Sequence, residues 1–202
     1  MIPVHMQPEP ADFAKKVRKP GQKFLKQTPA PNTEQWKRND YWRKALFDMR
    51  NSYNKICAYC AFWIPHSTGA QSIDHFIPKS IDPDLAYEWS NFRYVSARFN
   101  SRKGTRKIID PFSLKPDSFI LDFSSFFIKA NPLLSVIIKE QIEETIKILK
   151  LNDDEDLITE RQNWYFAYQK KEITYRHLEK KAPFIAYEIK RQSKNFPKSG
   201  GD

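Results

Sequence analysis

The sequence predicts an α+β fold: a β-loop-β-α core set within a mostly helical chain. Three observations support this. Residues Ser72 to Phe76 alternate polar and apolar as a strand does, and Asn91 to Val95 alternate again, with Phe92 and Tyr94 on one face and Arg93 on the other. The stretch "SARFNSRKGTRK" follows directly, with Ser96 as a helix cap and Gly104 as a stop about two turns later. On both sides of this unit the apolar residues recur at helical spacing. With 202 residues and 40% hydrophobic content, the chain can bury one sizeable core, or a small core with a helical extension.

Residues 1–35 carry six prolines between Pro3 and Pro31, mixed with Lys15, Lys16, Arg18, Lys19, Lys23 and Lys26. This composition predicts an extended basic arm that wraps the domain or a partner. Residues 36–112 hold the core and the helix that precedes it. Asp40 is a plausible N-cap, and Trp42, Ala45, Leu46, Met49 and Tyr53 form one face of a helix ending near Asn54. Pro78 and Pro83 mark the long loop between the two strands. Residues 113–193 are helical: Ile138, Ile142, Ile146 and Leu149 make an i, i+4 stripe opposite Glu143, Glu144 and Lys147. Leu157, Arg161, Trp164, Tyr165 and Tyr168 suggest another helix. Tyr175 to Gln192 suggest a third, which Pro183 should kink or divide. No internal repeat is visible, and residues 194–202 read as a disordered tail.

Thirty-four Lys and Arg against 24 Asp and Glu give a formal charge of +10, which favours a polyanionic partner. A nucleic acid is the expected partner on charge alone. No apolar run approaches the ~18 residues of a membrane span, and the N-terminus lacks the apolar stretch of a signal peptide, so a cytoplasmic address with no membrane contact is expected. The two cysteines, Cys57 and Cys60, cannot make a secreted disulfide framework.

The chemistry-bearing residues lie in the strand-loop-strand-helix unit. Asp74-His75 ends the first strand, Asn91 opens the second and Asn100 sits on the short helix, which folding back brings near Asp74. A carboxylate and a carboxamide are hard oxygen donors suited to Mg²⁺ or Mn²⁺. An imidazole beside such an ion can deprotonate a water, and the ion can neutralise charge building on a phosphate. Each residue alone has an ordinary structural explanation: a hydrogen-bonded Asp-His couple, or an Asn in a turn. Their order and spacing carry the inference.

The segments "SIDHFIPKS", "EWSNFRYV" and "RFNSRKG" resemble the signature of the HNH (ββα-metal) endonucleases, over roughly Ile56 to Phe112. The separations, 16 residues from His75 to Asn91 and nine from Asn91 to Asn100, are usual for that motif. The resemblance implies that His75 is the general base, that Asp74 and Asn100 hold the metal, and that Asn91 fixes the loop and orients the base. Asn100 stands where the literal acronym has a final His, and its oxygen still suits a hard cation. The implied activity is metal-dependent hydrolysis of phosphodiester bonds, with DNA as the expected partner and RNA not excluded. The alternative is a catalytically silent nucleic-acid-binding or adaptor subunit with the same fold.

Five cations, Arg98, Arg102, Lys103, Arg106 and Lys107, fall within ten residues around Asn100. Lys103, one turn away, is the expected contact to the substrate backbone, with Arg93, Arg98, Arg102 and Arg106 assisting. Many HNH proteins carry two Cys pairs that bind zinc; here there is one, and His66 adds at most a third ligand where structural zinc takes four. Zinc is therefore disfavoured, and the cysteines are read as small core residues. The aromatics Phe62, Trp63, Tyr87, Trp89, Phe92 and Tyr94 are read as fastening the small unit to its surroundings. No phosphate-binding G-x-x-x-x-G-K-[ST] loop occurs. The whole-chain layout also resembles small bacterial HNH nuclease subunits of Septu-like phage-defence systems, which implies an ATPase partner.

Overall fold

The computed structural model describes residues 1–193; the expected tail, 194–202, lies outside the described residues. The architecture is α+β, with helices surrounding two small antiparallel sheets. Strands β1 (Gln71–His75) and β2 (Phe92–Ser96) pair in the register Asp74↔Arg93 and His75↔Phe92. Helix α4 (Ala97–Lys103) leaves β2 without a loop and packs back on β1. It stops where Gly104 takes φ 53°, a left-handed value at which glycine pays no Cβ penalty. Ser96 occupies the N-cap but makes no capping hydrogen bond.

The first 35 residues correct the extended-arm expectation. A π-helical turn at Ala14–Arg18 runs into α1 (Lys19–Gln27), and α2 (Thr33–Arg38) follows. Pro20 closely follows the π-helical turn inside one continuous helical run, and its missing N–H leaves one intrahelical bond unmade where the turn is widened. Asn32 and Gln35 start α2 with a reciprocal capping box. Phe13, Val17, Gly21 and Leu25, spaced by four, make one buried stripe. That stripe outweighs the lysines between its members, because burying it supplies more than local composition opposes.

The expected helix over 40–54 divides into a 3₁₀ turn (Tyr41–Ala45) and α3 (Leu46–Ser52), and Asp40 makes no side-chain cap. The loop between β1 and β2 carries two further 3₁₀ turns, Pro83–Tyr87 and Trp89–Asn91. Tyr87 is fully buried beside Trp36, Trp42 and Tyr41, and its hydroxyl donates to the Asn39 carbonyl at 2.7 Å. This aromatic cluster fastens residues 33–45 over the loop that follows β1.

The second half places a hairpin, β3 (Phe119–Leu121) and β4 (Ile128–Ala130), beside α5 (Val136–Leu149), α6 (Glu155–Gln169), α7 (Tyr175–Lys181) and α8 (Pro183–Ser193). Pro183 divides the last helical stretch at Ala182, as expected. The hairpin departs from the all-helical expectation for 113–193, because strands of three residues each carry too little alternation to read. Buried Arg161 donates to the carbonyls of Phe126 and Leu151, and buried Glu188 accepts from the Leu121 amide. No helix among the described residues is long and apolar enough to cross a membrane.

Gly21 is the closest approach between α1 and the loop: a Cβ there would lie 2.1 Å from the Tyr87 ring. Gly21→Ala should destabilise the protein by about 1–3 kcal/mol through overpacking, despite the helix-propensity gain of up to ~1 kcal/mol. Urea unfolding of the two proteins measures this, and a more stable alanine variant would show that the contact relaxes freely.

Candidate functional site

β1 ends in Asp74 and His75, adjacent residues whose side chains take separate supports. Asp74 is 3% exposed and is held from two sides. The Lys103 ammonium, 1% exposed, lies 3.1 Å from its Oδ2 and 3.2 Å from its Oδ1. The Tyr59 hydroxyl donates to Oδ2 at 2.5 Å. Lys103 also donates to the His75 carbonyl at 3.1 Å, so one ammonium ties α4 to two successive residues of β1. Burial raises the Asp74 carboxyl pKa, and Lys103 and Tyr59 oppose the rise.

His75 is 8% exposed and meets Trp42 edge-on at 4.9 Å and Phe92 at 5.4 Å. Its Nε2 lies 2.9 Å from the Ala86 carbonyl. A carbonyl can only accept, so Nε2 carries the proton and Nδ1 keeps its lone pair. Burial, then the nearby positive charge of Lys79, lowers the His75 pKa to about 3, so the ring is neutral throughout the physiological range.

Asn91 is 5% exposed and staples the loop. Its Oδ1 accepts from the Ile77 amide at 2.8 Å, and its Nδ2 donates to the Ile77 and Leu85 carbonyls at 2.9 and 3.1 Å. Leu85 precedes Ala86, so Asn91 orients the imidazole through the backbone that receives its Nε2–H. Asn100 donates from Nδ2 to Ser72 Oγ at 2.8 Å and to the Ile73 carbonyl at 3.2 Å. The carbonyl partner fixes the amide orientation and leaves Oδ1 free of partners among the described residues.

Asp74, His75 and Asn100 line one cleft of about 910 Å³, walled on the other side by Trp36, Lys37, Asp40, Trp42 and Arg43. A Mg²⁺-class ion would be held by Asn100 and Asp74, with the Lys103 ammonium sharing the carboxylate. Asn100 offers a free oxygen, and a carboxylate has about four acceptor positions, of which Tyr59 and the forked Lys103 contact use three on Asp74. Two protein oxygens with the remaining positions left to water and phosphate is the sparse ligation such ions take. Among the described residues no group of three or more His, Cys, Asp or Glu side chains converges on one point.

The basic residues expected to face nucleic acid are placed differently. Lys103 is buried against Asp74, because the helix turn that carries it lies flat on β1. Arg93, 4% exposed, forms a two-pronged pair with Asp110 at 2.9 and 2.6 Å, donates to the carbonyls of Ser90 and Phe92, and lies 3.5 Å from the centre of the Phe112 ring. That contact explains the "IIDPF" segment: Asp110 and Phe112 close over Arg93. Arg98 and Arg102 both reach Asp154 at 2.6 Å, joining α4 to the start of α6. Arg106 is exposed and turns back to the Arg102 and Lys103 carbonyls. None of these five lines the cleft.

Three residues of the site were not singled out from the sequence. Tyr59 sits inside Cys57-Ala-Tyr-Cys60, a turn held to β2 by the Ala58 amide on the Tyr94 carbonyl. Cys57 and Cys60 are both buried, and Cys57 Sγ accepts from the Ser96 amide at 3.4 Å. Trp42 reads as a helix core position, and Lys79 is one cation among many. Tyr59 lies 15 residues before Asp74, between two cysteines that draw the reading toward core packing.

Fold and site together define a class: an α+β protein whose hairpin-and-helix unit sets adjacent acid and imidazole beside a helix-borne carboxamide in an open cleft. No protein-family model matches the chain. The chain is similar to the Septu protein PtuB of Bacillus thuringiensis, with 29% identity over 126 residues, covering 60% of this chain and 45% of that protein. It therefore spans less than half of that relative's length.

Two outcomes are expected here. Lys103→Met leaves the Asp74 carboxylate buried without its counter-ion and should cost about 3–5 kcal/mol, read from urea unfolding at pH 7. A loss below 1 kcal/mol would mean that Asp74 reaches solvent. The second concerns acid. The unfolded chain takes a proton on His75 near pH 6.5 and the folded protein refuses it down to about 3. The stability this residue contributes is full above pH 6.5 and is lost as pH falls toward 3, by roughly 5 kcal/mol. His75→Gln, which keeps an amide donor for the Ala86 carbonyl, should flatten that acid limb; a limb of unchanged steepness would assign it to other groups.

Proposed function

We propose that the chain is a metal-dependent HNH endonuclease that hydrolyses phosphodiester bonds of DNA. The observation that carries this reading is the orientation of His75: Nε2–H is committed to the Ala86 carbonyl, leaving a neutral ring whose Nδ1 keeps its lone pair, on a residue that lines the same cleft as Asp74 and Asn100. Nδ1 would take a proton from water as the oxygen attacks phosphorus and the bond to the departing sugar oxygen breaks. The incoming phosphate would bring negative charge beside the ring and raise its low pKa toward the range a base needs. Asp74 and the Asn100 Oδ1 would hold the Mg²⁺ or Mn²⁺ ion, which when bound supplies charge neutralisation at the phosphate oxygens. Asn91 acts as a positioning residue through Leu85 and Ala86.

The likeness to a Septu protein supports a role in bacterial phage defence, in which the chain would be the nuclease component beside an ATPase partner. The resemblance of the residues around Asp74, Asn91 and Asn100 to the HNH signature supports the chemistry independently of that.

The test is incubation of purified protein with plasmid, single-stranded DNA and RNA, in Mg²⁺, Mn²⁺ or EDTA. Cleavage of DNA with a divalent ion and none in EDTA is expected. His75→Gln should lower the rate by about 10²–10⁴-fold while leaving DNA affinity unchanged, since the base acts only in the chemical step. Asn100→Ala should be partly restored by excess Mn²⁺, and His75→Gln should not. Near-normal turnover by His75→Gln rejects the assignment of the base. DNA binding with no cleavage under any ion would favour the silent binding subunit instead.

A further inference from the structure

Arg93, Arg98, Arg102 and Lys103 are committed to carboxylates inside the protein, so positive charge for a phosphate must reach the cleft from elsewhere. Three other cations line it: Lys37, Arg43 and Lys79. Lys37 pairs with Glu34 at 2.7 Å and Arg43 with Asp40 at 3.2 Å. Lys79 has no carboxylate within 4.0 Å and no hydrogen-bond partner among the described residues. Its ammonium stands 5.1 Å from the Trp42 ring centre and 5.8 Å from that of Trp36.

Trp42 is the same indole that meets His75 at 4.9 Å. One ring therefore sets both the base and the ammonium, and it does so from a helical turn outside the β-hairpin. An ammonium over an aromatic face keeps all three N–H donors available, because the attraction is to the ring's electron density and not to a lone pair. Burial lowers the Lys79 pKa, with Asp74 opposing it, as befits a partly desolvated cation that gains by meeting an anion.

We propose that Lys79 is the phosphate-binding residue of the cleft: its ammonium, seated on Trp36 and Trp42, donates to a non-bridging oxygen of the nucleic-acid backbone and holds the phosphorus within reach of the water that His75 activates. The proposal rests on the nuclease reading and adds to it the group that grips the substrate. The carboxylate-paired cations Lys37 and Arg43 flank it on the same side, so the backbone would run between residues 33–45 and the hairpin.

Full-length His75→Gln protein, unable to cut, is titrated with fluorescein-labelled duplex DNA at several salt concentrations, alone and combined with Lys79→Met or Lys79→Arg. Methionine keeps the apolar stem on the indoles and removes the charge; arginine keeps the charge. Lys79→Met should weaken binding by about tenfold and lower the log–log salt slope by about one, with Lys79→Arg near the parent. In the otherwise native chain, Lys79→Met should lower kcat/KM at least about tenfold. Unchanged affinity and slope in Lys79→Met, with the parent binding DNA, overturns the Lys79 proposal and leaves the nuclease reading standing. A parent that binds no DNA, from a native chain that cuts none, overturns the nuclease reading and this proposal with it.

Discussion

The site depends on a buried ion pair. Asp74 and Lys103 are removed from water together, and that is costly unless each finds further partners. Tyr59 supplies one to the carboxylate and the His75 carbonyl supplies one to the ammonium. The result is a four-part junction in which a turn, a strand and a helix meet. It sets the height of α4 over β1, and with it the position of Asn100, one turn before Lys103. A cation is required there to neutralise the buried Asp74 carboxylate, which is why a lysine so near Asn100 faces inward.

His75 obeys a different constraint. It is fixed from the loop side, where Asn91 joins Ile77 and Leu85 and the neighbouring Ala86 carbonyl claims Nε2. Aromatic edges from Trp42 and Phe92 hold the ring plane. Acid and imidazole are adjacent in sequence yet answer to separate supports, one through α4 and the other through the loop. Their chemical roles can therefore be tuned apart.

The sequence displayed Asp74, His75, Asn91 and Asn100 openly, because the hairpin alternates cleanly and the helix follows at once. It also showed the helices of the second half, whose apolar stripes run for several turns. Short-range composition misled at the N-terminus: prolines and lysines hid the stripe Phe13, Val17, Gly21, Leu25, and Pro20 lies within a continuous helical run. The cations misled for another reason. Arg93, Arg98, Arg102 and Lys103 look alike in a list of charges, and only the positions of Asp74, Asp110 and Asp154 in space separate a structural cation from a free one. Lys79 was hidden the same way, since its indole partners lie about 40 residues upstream.

The wall that Trp36 and Trp42 build against His75 has a consequence for how the unit can be inherited. Residues 56–112 contain every residue of the acid, imidazole and amide cluster, together with Tyr59 and Lys103, and so resemble a portable cassette. They are not self-sufficient. Cut away from residues 33–45, the imidazole would face water on its Trp42 side, its proton affinity would return toward that of free histidine, and Lys79 would lose its seat. Cut away from α6, Arg98 and Arg102 would be left without Asp154. Transplanting this chemistry into another chain means carrying its neighbours along, so modularity here belongs to the whole described fold and not to its smallest recognisable part.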